Sequence, residues 1–188
     1  MRTALRLGLL VALSFAATAA ATARAHPGPQ VPEYDVKTAY LFNFAKFVEW
    51  PDDAFAGTGH PLSLCVYGEG PFEDALAAIH GKSIGDRHLV AAQVHRIQLV
   101  DGCHILFIPR SAFRLAGEIL ARAASSRILT VTEAESPNEP RGIINLVRRD
   151  DRVAFQIDPK AAARVGLRIS SRLLQLAEVT TTAPWRPE

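Results

Sequence analysis

Three residues near the carboxyl end of the chain have the charge and spacing to bind a small anion. Arg168, Arg172 and Gln175 stand at positions i, i+4 and i+7 of a predicted helix, and these positions share one stripe of a helix surface. Two guanidinium groups one turn apart could hold a carboxylate or a phosphate through paired hydrogen bonds. The spacing therefore predicts an anion-binding site, and the alternative is an ordinary solvated basic face.

A second set of residues combines an aromatic ring with charges and is typical of a protein–protein contact. Residues 37–51, KTAYLFNFAKFVEWP, carry five aromatic rings. At about 100° per residue the apolar side chains form one arc, which we expect to pack on a sheet: Tyr40, Leu41, Phe44, Ala45, Phe47 and Val48. Phe42 lies on the opposite, polar side with Thr38, Lys46 and Glu49. An exposed aromatic anchor beside charges predicts a partner-binding surface of Phe42, Lys46 and Glu49, and a lone surface ring is the alternative.

The chain contains two cysteines, Cys65 and Cys103. In an exported protein an even number of cysteines predicts a disulfide. Two buried free thiols are the alternative. A C-x-x-C motif is absent, which argues against a thiol oxidoreductase.

Motifs of common enzymes are incomplete in this sequence. The tripeptide GKS at 81–83 lacks the earlier glycine of a phosphate-binding loop, because Leu76 stands in its place. His88 and His95 are seven residues apart on a predicted strand, so they point to opposite faces and do not share a metal. Neither a G-x-S-x-G nor an H-E-x-x-H motif is present. We therefore predict no catalytic residues, no metal and no cofactor, and an enzyme of an unrecognised type is the alternative.

The amino-terminal residues 1–25 have the features of a secretory signal peptide. Arginines precede a short apolar run, and Ala23-Arg24-Ala25 forms an A-x-A cleavage pattern. A short membrane anchor is the alternative. Removal of this segment takes away three of the 21 basic residues and none of the 19 acidic ones, which leaves a net charge of about −1. The mature chain thus has no general electrostatic attraction for nucleic acid. The signal peptide predicts that the protein is exported.

The elements that must position these residues alternate between strands and helices. Proline-rich residues 26–35 are predicted to be a flexible arm, residues 36–180 a single domain, and residues 181–188 a tail. Asp35 is the expected cap of the aromatic helix and Pro51 its end. A hairpin follows the alternating elements, and then a helix capped by Asp158 and a longer one over 167–179. This order predicts an α/β sandwich in which helices flank a mixed sheet of about six strands.

The ordered set of segments resembles the periplasmic YfiR family. The resemblance runs from VKTAYLFNFAKFVEWP through LCVYGEGPFEDALAAIHGKSIGDRHLVAAQV, CHILFI and ILTVTE to GIINLV and GLRISSRLLQLAEV, roughly residues 36–180. It implies a non-catalytic α/β regulator, often a homodimer. Such a regulator binds the periplasmic sensor domain of an inner-membrane diguanylate cyclase and holds the cyclase inactive. It also implies an outer-membrane lipoprotein that sequesters the regulator, so that cyclic di-GMP and biofilm formation rise. A periplasmic sensor of small anions is the alternative function.

Overall fold

A computed structural model of the protein describes residues 32–149 and 152–180. All of them belong to one compact unit, Val31–Glu188. The predicted signal peptide, most of the predicted arm and the predicted tail lie outside the described residues. Within residues 32–149 and 152–180, no helix is both long enough and apolar enough to cross a membrane.

The described residues form five α-helices and ten strands. The helices are α1 (Glu33–Phe47), α2 (Glu73–Ala77), α3 (Ala116–Ala123), α4 (Pro159–Arg164) and α5 (Ser171–Leu176). The strands are β1 (Val48–Glu49), β2 (Leu62–Tyr67), β3 (Ser83–Ile84), β4 (Arg87–Val94), β5 (Ile105–Ile108), β6 (Leu129–Thr132), β7 (Ile144–Arg149), β8 (Arg152–Ile157), β9 (Arg168–Ile169) and β10 (Glu178–Val179). Short 3-10 helices cover Asp52–Ala54, Ile97–Gly102 and Arg110–Leu115.

Eight of these strands form one mixed sheet in the order β10-β8-β7-β6-β5-β2-β4-β3. The strands from β4 to β7 are parallel, whereas β7–β8 and β3–β4 are antiparallel. The prediction of a mixed sheet is confirmed, but the predicted number of six strands is wrong. The two missing strands, β3 and β10, are two-residue strands at the sheet edges, too short to show an alternating pattern.

Both faces of the sheet are covered, so the central strands are buried on each side. On β5, Ile105 and Phe107 belong to one apolar cluster, and Leu106 and Ile108 belong to a second cluster that contains α3. Helix α1 packs in the first cluster through Leu41 and Phe44. The uninterrupted apolar run of β5 follows from this burial, because a strand covered on both faces has no solvent side.

Cys65 and Cys103 form a disulfide in the structure, as predicted. Cys65 lies on β2, and Cys103 lies just before the neighbouring β5, with 5.8 Å between their Cα atoms. Both residues are buried in the cluster that contains α3. The bond therefore joins two adjacent central strands, and it uses both cysteines of the chain.

Two helical predictions are wrong at their ends. Helix α1 begins at Glu33 after Pro32, not after a cap at Asp35, so the last residues of the predicted arm form its first turn. Val48 is extended because β1 pairs with β9. The same pairing interrupts the predicted helix 167–179, which is divided into β9, α5 and β10. By contrast, Asp158 caps α4 as predicted, with its carboxylate accepting the Ala161 N–H at 2.9 Å.

A buried histidine joins the loop after α1 to the central strands. The imidazole of His104 accepts the Ser63 N–H on Nδ1 at 3.0 Å and donates from Nε2 to the Ala54 carbonyl at 3.1 Å. The imidazole of His104 stacks on the ring of Phe55. The guanidinium of Arg87 lies 3.6 Å from the centre of the Phe55 ring. Burial lowers the pKa of His104 below its ordinary value of 6.5, and the nearby charges of His60 and Arg87 add to this effect.

We expect the stability of the protein to fall as the pH drops below about 6.5. The native state holds His104 neutral, because a protonated Nδ1 could not accept the Ser63 N–H, whereas the unfolded chain binds a proton near pH 6.5. Protonation thus favours the unfolded state, and the stabilisation is complete only at higher pH. Urea unfolding between pH 5 and 8 measures this.

The matched variants for this test are His104→Asn and His88→Asn. The first should flatten the pH dependence, and the second, at an exposed residue of β4, should leave it unchanged. An equal slope in wild type and His104→Asn would show that another group is responsible.

Candidate partner-binding site

The apolar arc of α1 docks on the sheet much as predicted. Leu41, Phe44 and Ala45 are buried, and Tyr40 and Phe47 are half-buried against the same cluster. The Tyr40 hydroxyl donates to the Val153 carbonyl at 2.8 Å, which ties α1 to β8. Thr38, expected on the polar side, is instead buried. The helix therefore has a wider buried face than its pattern of apolar residues indicates.

Phe42 lies at the margin of this buried face. Its ring is half-buried and packs against the first core cluster, so the prediction of an exposed ring on the polar side is wrong. Two lysine ammonium groups lie near the ring. The Lys46 ammonium lies 4.2 Å from the ring centre, and the Lys82 ammonium lies 5.5 Å from it. Lys46 is one turn from Phe42, as expected, but Lys82 comes from the segment between α2 and β3.

We call these three residues, Phe42, Lys46 and Lys82, the Phe42 surface. Neither ammonium group forms an ion pair with any residue in 32–149 or 152–180. Two positive charges at one aromatic ring attract an anion. The face of the ring in turn attracts the two ammonium groups. The arrangement can therefore receive an acidic side chain next to an apolar contact. The sequence does not predict the contact of Lys82 with Phe42, because the two residues are 40 positions apart. The GKS tripeptide that contains Lys82 suggests only a phosphate-binding loop.

Glu49, the third member of the predicted surface, is not on the helix. It lies on β1, and its carboxylate accepts hydrogen bonds from the Arg168 guanidinium on β9 at 3.1 and 2.6 Å. Both side chains are more than half exposed, so the pair contributes about 0–1 kcal/mol. Glu49 therefore reaches a partner as half of an ion pair rather than as a free charge.

The same ion pair changes the predicted anion site. Arg168 is a strand residue bonded to Glu49, whereas Arg172 and Gln175 are exposed residues of α5. The helical stripe that placed Arg168 one turn from Arg172 does not exist. The prediction was wrong about the helix because β1–β9 pairing overrides the helical propensity of the segment.

A buried lysine and two carboxylates hold the beginning of α1 in place. The ammonium of Lys37 lies 2.6 Å from a carboxylate oxygen of Glu33 and 2.6 Å from one of Glu133, just after β6. Burial alone would lower the pKa of Lys37, but the hydrogen bonds that its ammonium donates to Glu133 and Glu33, together with the attraction of these carboxylates, outweigh burial and raise the pKa. The hydrogen bond from Lys37 lowers the pKa of Glu33. Since Glu133 also accepts the Arg110 N–H at 2.9 Å, this group connects α1 to the ends of β5 and β6 and holds the helix in place.

Residues 34–178 match a protein-family model described as YfiR/HmsC-like. The chain belongs to the YfiR/HmsC-like family. This confirms the resemblance seen in the sequence. A comparison with curated proteins found no match. The YfiR/HmsC-like region contains the whole eight-stranded sheet except Val179, together with the disulfide and the Phe42 surface. Among the described residues of this YfiR/HmsC-like domain, no group of three or more histidine, cysteine or acidic side chains could hold a metal ion.

Proposed function

We propose that this protein is a periplasmic regulator that represses an inner-membrane diguanylate cyclase by binding the cyclase's periplasmic sensor domain. Membership of the YfiR/HmsC-like family, whose YfiR-type members regulate such cyclases, is the observation that carries the proposal. The disulfide is consistent with an oxidising compartment. Repression would keep cyclic di-GMP low and limit biofilm formation.

The test of this function uses the purified mature protein and membranes that contain the cyclase. Adding the protein should lower cyclic di-GMP synthesis in a saturable way, and deleting its gene should raise cyclic di-GMP in the cell. The isolated sensor domain should compete and restore synthesis. If the protein neither binds the sensor domain nor changes the activity of the cyclase, the proposal fails.

The Phe42 surface is the proposed contact for the sensor domain, and Glu49 on β1 is kept as a proposed further contact. A half-buried aromatic ring is already held by packing, so it loses little conformational freedom on binding. Its ring can fill an apolar depression, while Lys46 and Lys82 meet acidic residues around it.

We expect Phe42→Leu to weaken binding of the sensor domain by tenfold or more, on the order of a hot-spot residue. Leucine retains the apolar packing against the core but removes the aromatic face. The double variant Lys46→Gln, Lys82→Gln should weaken binding too, and its loss should shrink in high salt. Isothermal titration measures the affinity, and thermal melting checks the fold.

The control for these variants is Lys160→Gln, an exposed lysine on α4. It should bind as the wild type does. If Phe42→Leu and the double lysine variant also bind at wild-type strength, the contact lies elsewhere on the domain.

The remaining parts of the proposal rest on family membership. They are a homodimer and an outer-membrane lipoprotein that removes the regulator from the cyclase. The alternative, a sensor of small anions, has less support from the structure than from the sequence. Arg168 is paired with Glu49 and does not lie on one helix with Arg172 and Gln175.

A further inference from the structure

Strand β4 is covered along only part of its outer edge. The partner on its inner side, β2, pairs with it along its length from Leu89 to Val94. On the outer side, β3 pairs only with Arg87 and His88. Among the described residues, no strand lies beside β4 after that point.

The hydrogen bonds show which backbone groups face outward. Leu89 bonds to the covering segment through both its N–H and its carbonyl, which reach Lys82 at 2.9 Å and Gly81 at 2.8 Å. The Val94 carbonyl accepts the Gly68 N–H, on the β2 side. Since backbone direction alternates along a strand, Ala91 and Gln93 face outward as Leu89 does. Within the described residues, the backbone N–H and carbonyl of Gln93 have no hydrogen-bond partner.

Ala91 has only a side chain beside it. The Nδ1 atom of His80 lies 3.3 Å from the Ala91 N and 3.2 Å from its carbonyl oxygen. One nitrogen can satisfy only one of these groups at a time. The His80 ring is exposed, so it can turn away when a better partner arrives.

A groove runs beside this open edge. It has a volume of about 370 Å³ and lies between β4 and the helix α2. Glu73, Leu76, Ala77 and His80 form one wall, and Ala91, Ala92 and Gln93 form the other. The small alanine side chains leave room for the side chains of an added strand. An unpaired edge next to a shallow apolar groove is the arrangement that binds extended peptides, because the edge supplies backbone bonds and the groove supplies selectivity.

The open edge continues directly from the Phe42 surface. The Lys82 carbonyl accepts the Leu89 N–H next to the end of the covered part of β4, and the Lys82 ammonium lies 5.5 Å from the centre of the Phe42 ring. We propose that an extended segment of the cyclase's sensor domain adds to β4 at Ala91 and Gln93, with an acidic residue of that segment placed beside Lys82. Lys46 and Lys82 form no ion pair with a described residue, so they favour an acidic residue at the end of the segment that reaches the Phe42 ring. Glu73 lies in the groove itself, so the rest of the segment need not be acidic. This inference rests on the proposed function and specifies how the partner is held.

The test compares Gln93→Pro with Gln93→Ala in the full mature protein. Both variants lose the side-chain bonds from Gln93 to the Gly68 and Gly70 carbonyls. Only proline removes the outward N–H and places a ring there, and proline is tolerated at an outward position of an edge strand. Against the purified sensor domain, Gln93→Pro should bind about tenfold more weakly than Gln93→Ala, the effect of one lost backbone bond.

A measurement on the wild-type protein guards against misfolding of the proline variant. Amide hydrogen exchange at Gln93 should be fast in the free protein and slowed at least tenfold when the sensor domain is bound. Equal binding by the two variants together with an unprotected Gln93 amide in the complex overturns the β4 inference but leaves the proposed function intact. Failure of the wild type to bind the sensor domain at all overturns the proposed function itself.

Two other occupants of the edge would also overturn the proposal. If Gln93→Pro converts a dimer of the free protein to a monomer, a second copy of the chain occupies the edge. If deleting residues 26–31 speeds exchange at Gln93 in the free protein, the amino-terminal arm occupies it.

Discussion

Phe44→Ala is expected to lower the free energy of unfolding by about 3–5 kcal/mol, the cost of removing a buried phenylalanine and leaving a cavity. The side chain of Phe44 is only 1% exposed. Its ring lies 5.2 Å from that of Phe155 on β8 and 5.9 Å from that of Tyr40, and the latter two are 5.7 Å apart. This three-ring cluster attaches α1 to the far strands of the sheet, where the protein cannot easily collapse to fill the space.

Urea unfolding followed by circular dichroism measures this loss, and Phe42→Ala is the matched control on the same helix. Because Phe42 is half-buried, its truncation should cost clearly less than that of Phe44 but more than nothing. This differs from the expectation for an exposed ring, whose truncation would leave the stability nearly unchanged. Equal losses for the two variants would mean that the phase of α1 is not the one described.

Loss of the Cys65–Cys103 bond is expected to lower the free energy of unfolding by about 3–4 kcal/mol, the loop-entropy value for a loop of this length. The bond closes a loop with a sequence separation of 38 residues and joins two strands in the middle of the sheet. The double variant Cys65→Ala, Cys103→Ala tests this by urea unfolding, since alanine fills part of each buried site without adding a polar group.

Reductant provides the control for the disulfide. It should destabilise the wild type by a similar amount and leave the double alanine variant unchanged. If the free energy of unfolding of the double variant lies within about 1 kcal/mol of the wild-type value, the bond restricts the unfolded chain little. Its role is then not structural stabilisation.

Local patterns predicted the elements whose own residues decide their structure. The six longer strands, the buried arc of α1 and the Asp158 cap all follow from side-chain alternation, helical period or a single capping group. The two-residue strands have no such pattern. Arg168 illustrates the difference, because its segment has helical propensity and becomes a strand only when Val48 and Glu49 lie beside it.

Only those residues of the candidate site that are close in the sequence could be predicted to lie together. Phe42 and Lys46 are one helical turn apart, so the sequence places them together. Lys82 lies near the Phe42 ring but is 40 residues away in the sequence. Glu49 forms an ion pair with Arg168, which is 119 residues away in the sequence. The burial of His104 against Phe55 could not be predicted, because the loop that carries Phe55 has no pattern that predicts where it lies.

The attachment of α1 to the last strands of the domain determines the order in which the chain can fold. Tyr40 bonds to a carbonyl 113 residues later, and Glu49 pairs with an arginine 119 residues later. Until β8 and β9 are present, the aromatic face of α1 has no complete surface to cover it. High contact order of this kind slows folding, because the cost of closing a long loop precedes the gain from its contacts. In the exported protein that we propose, the same delay would leave the aromatic face of α1 without its partner strands until the last part of the domain has crossed the membrane.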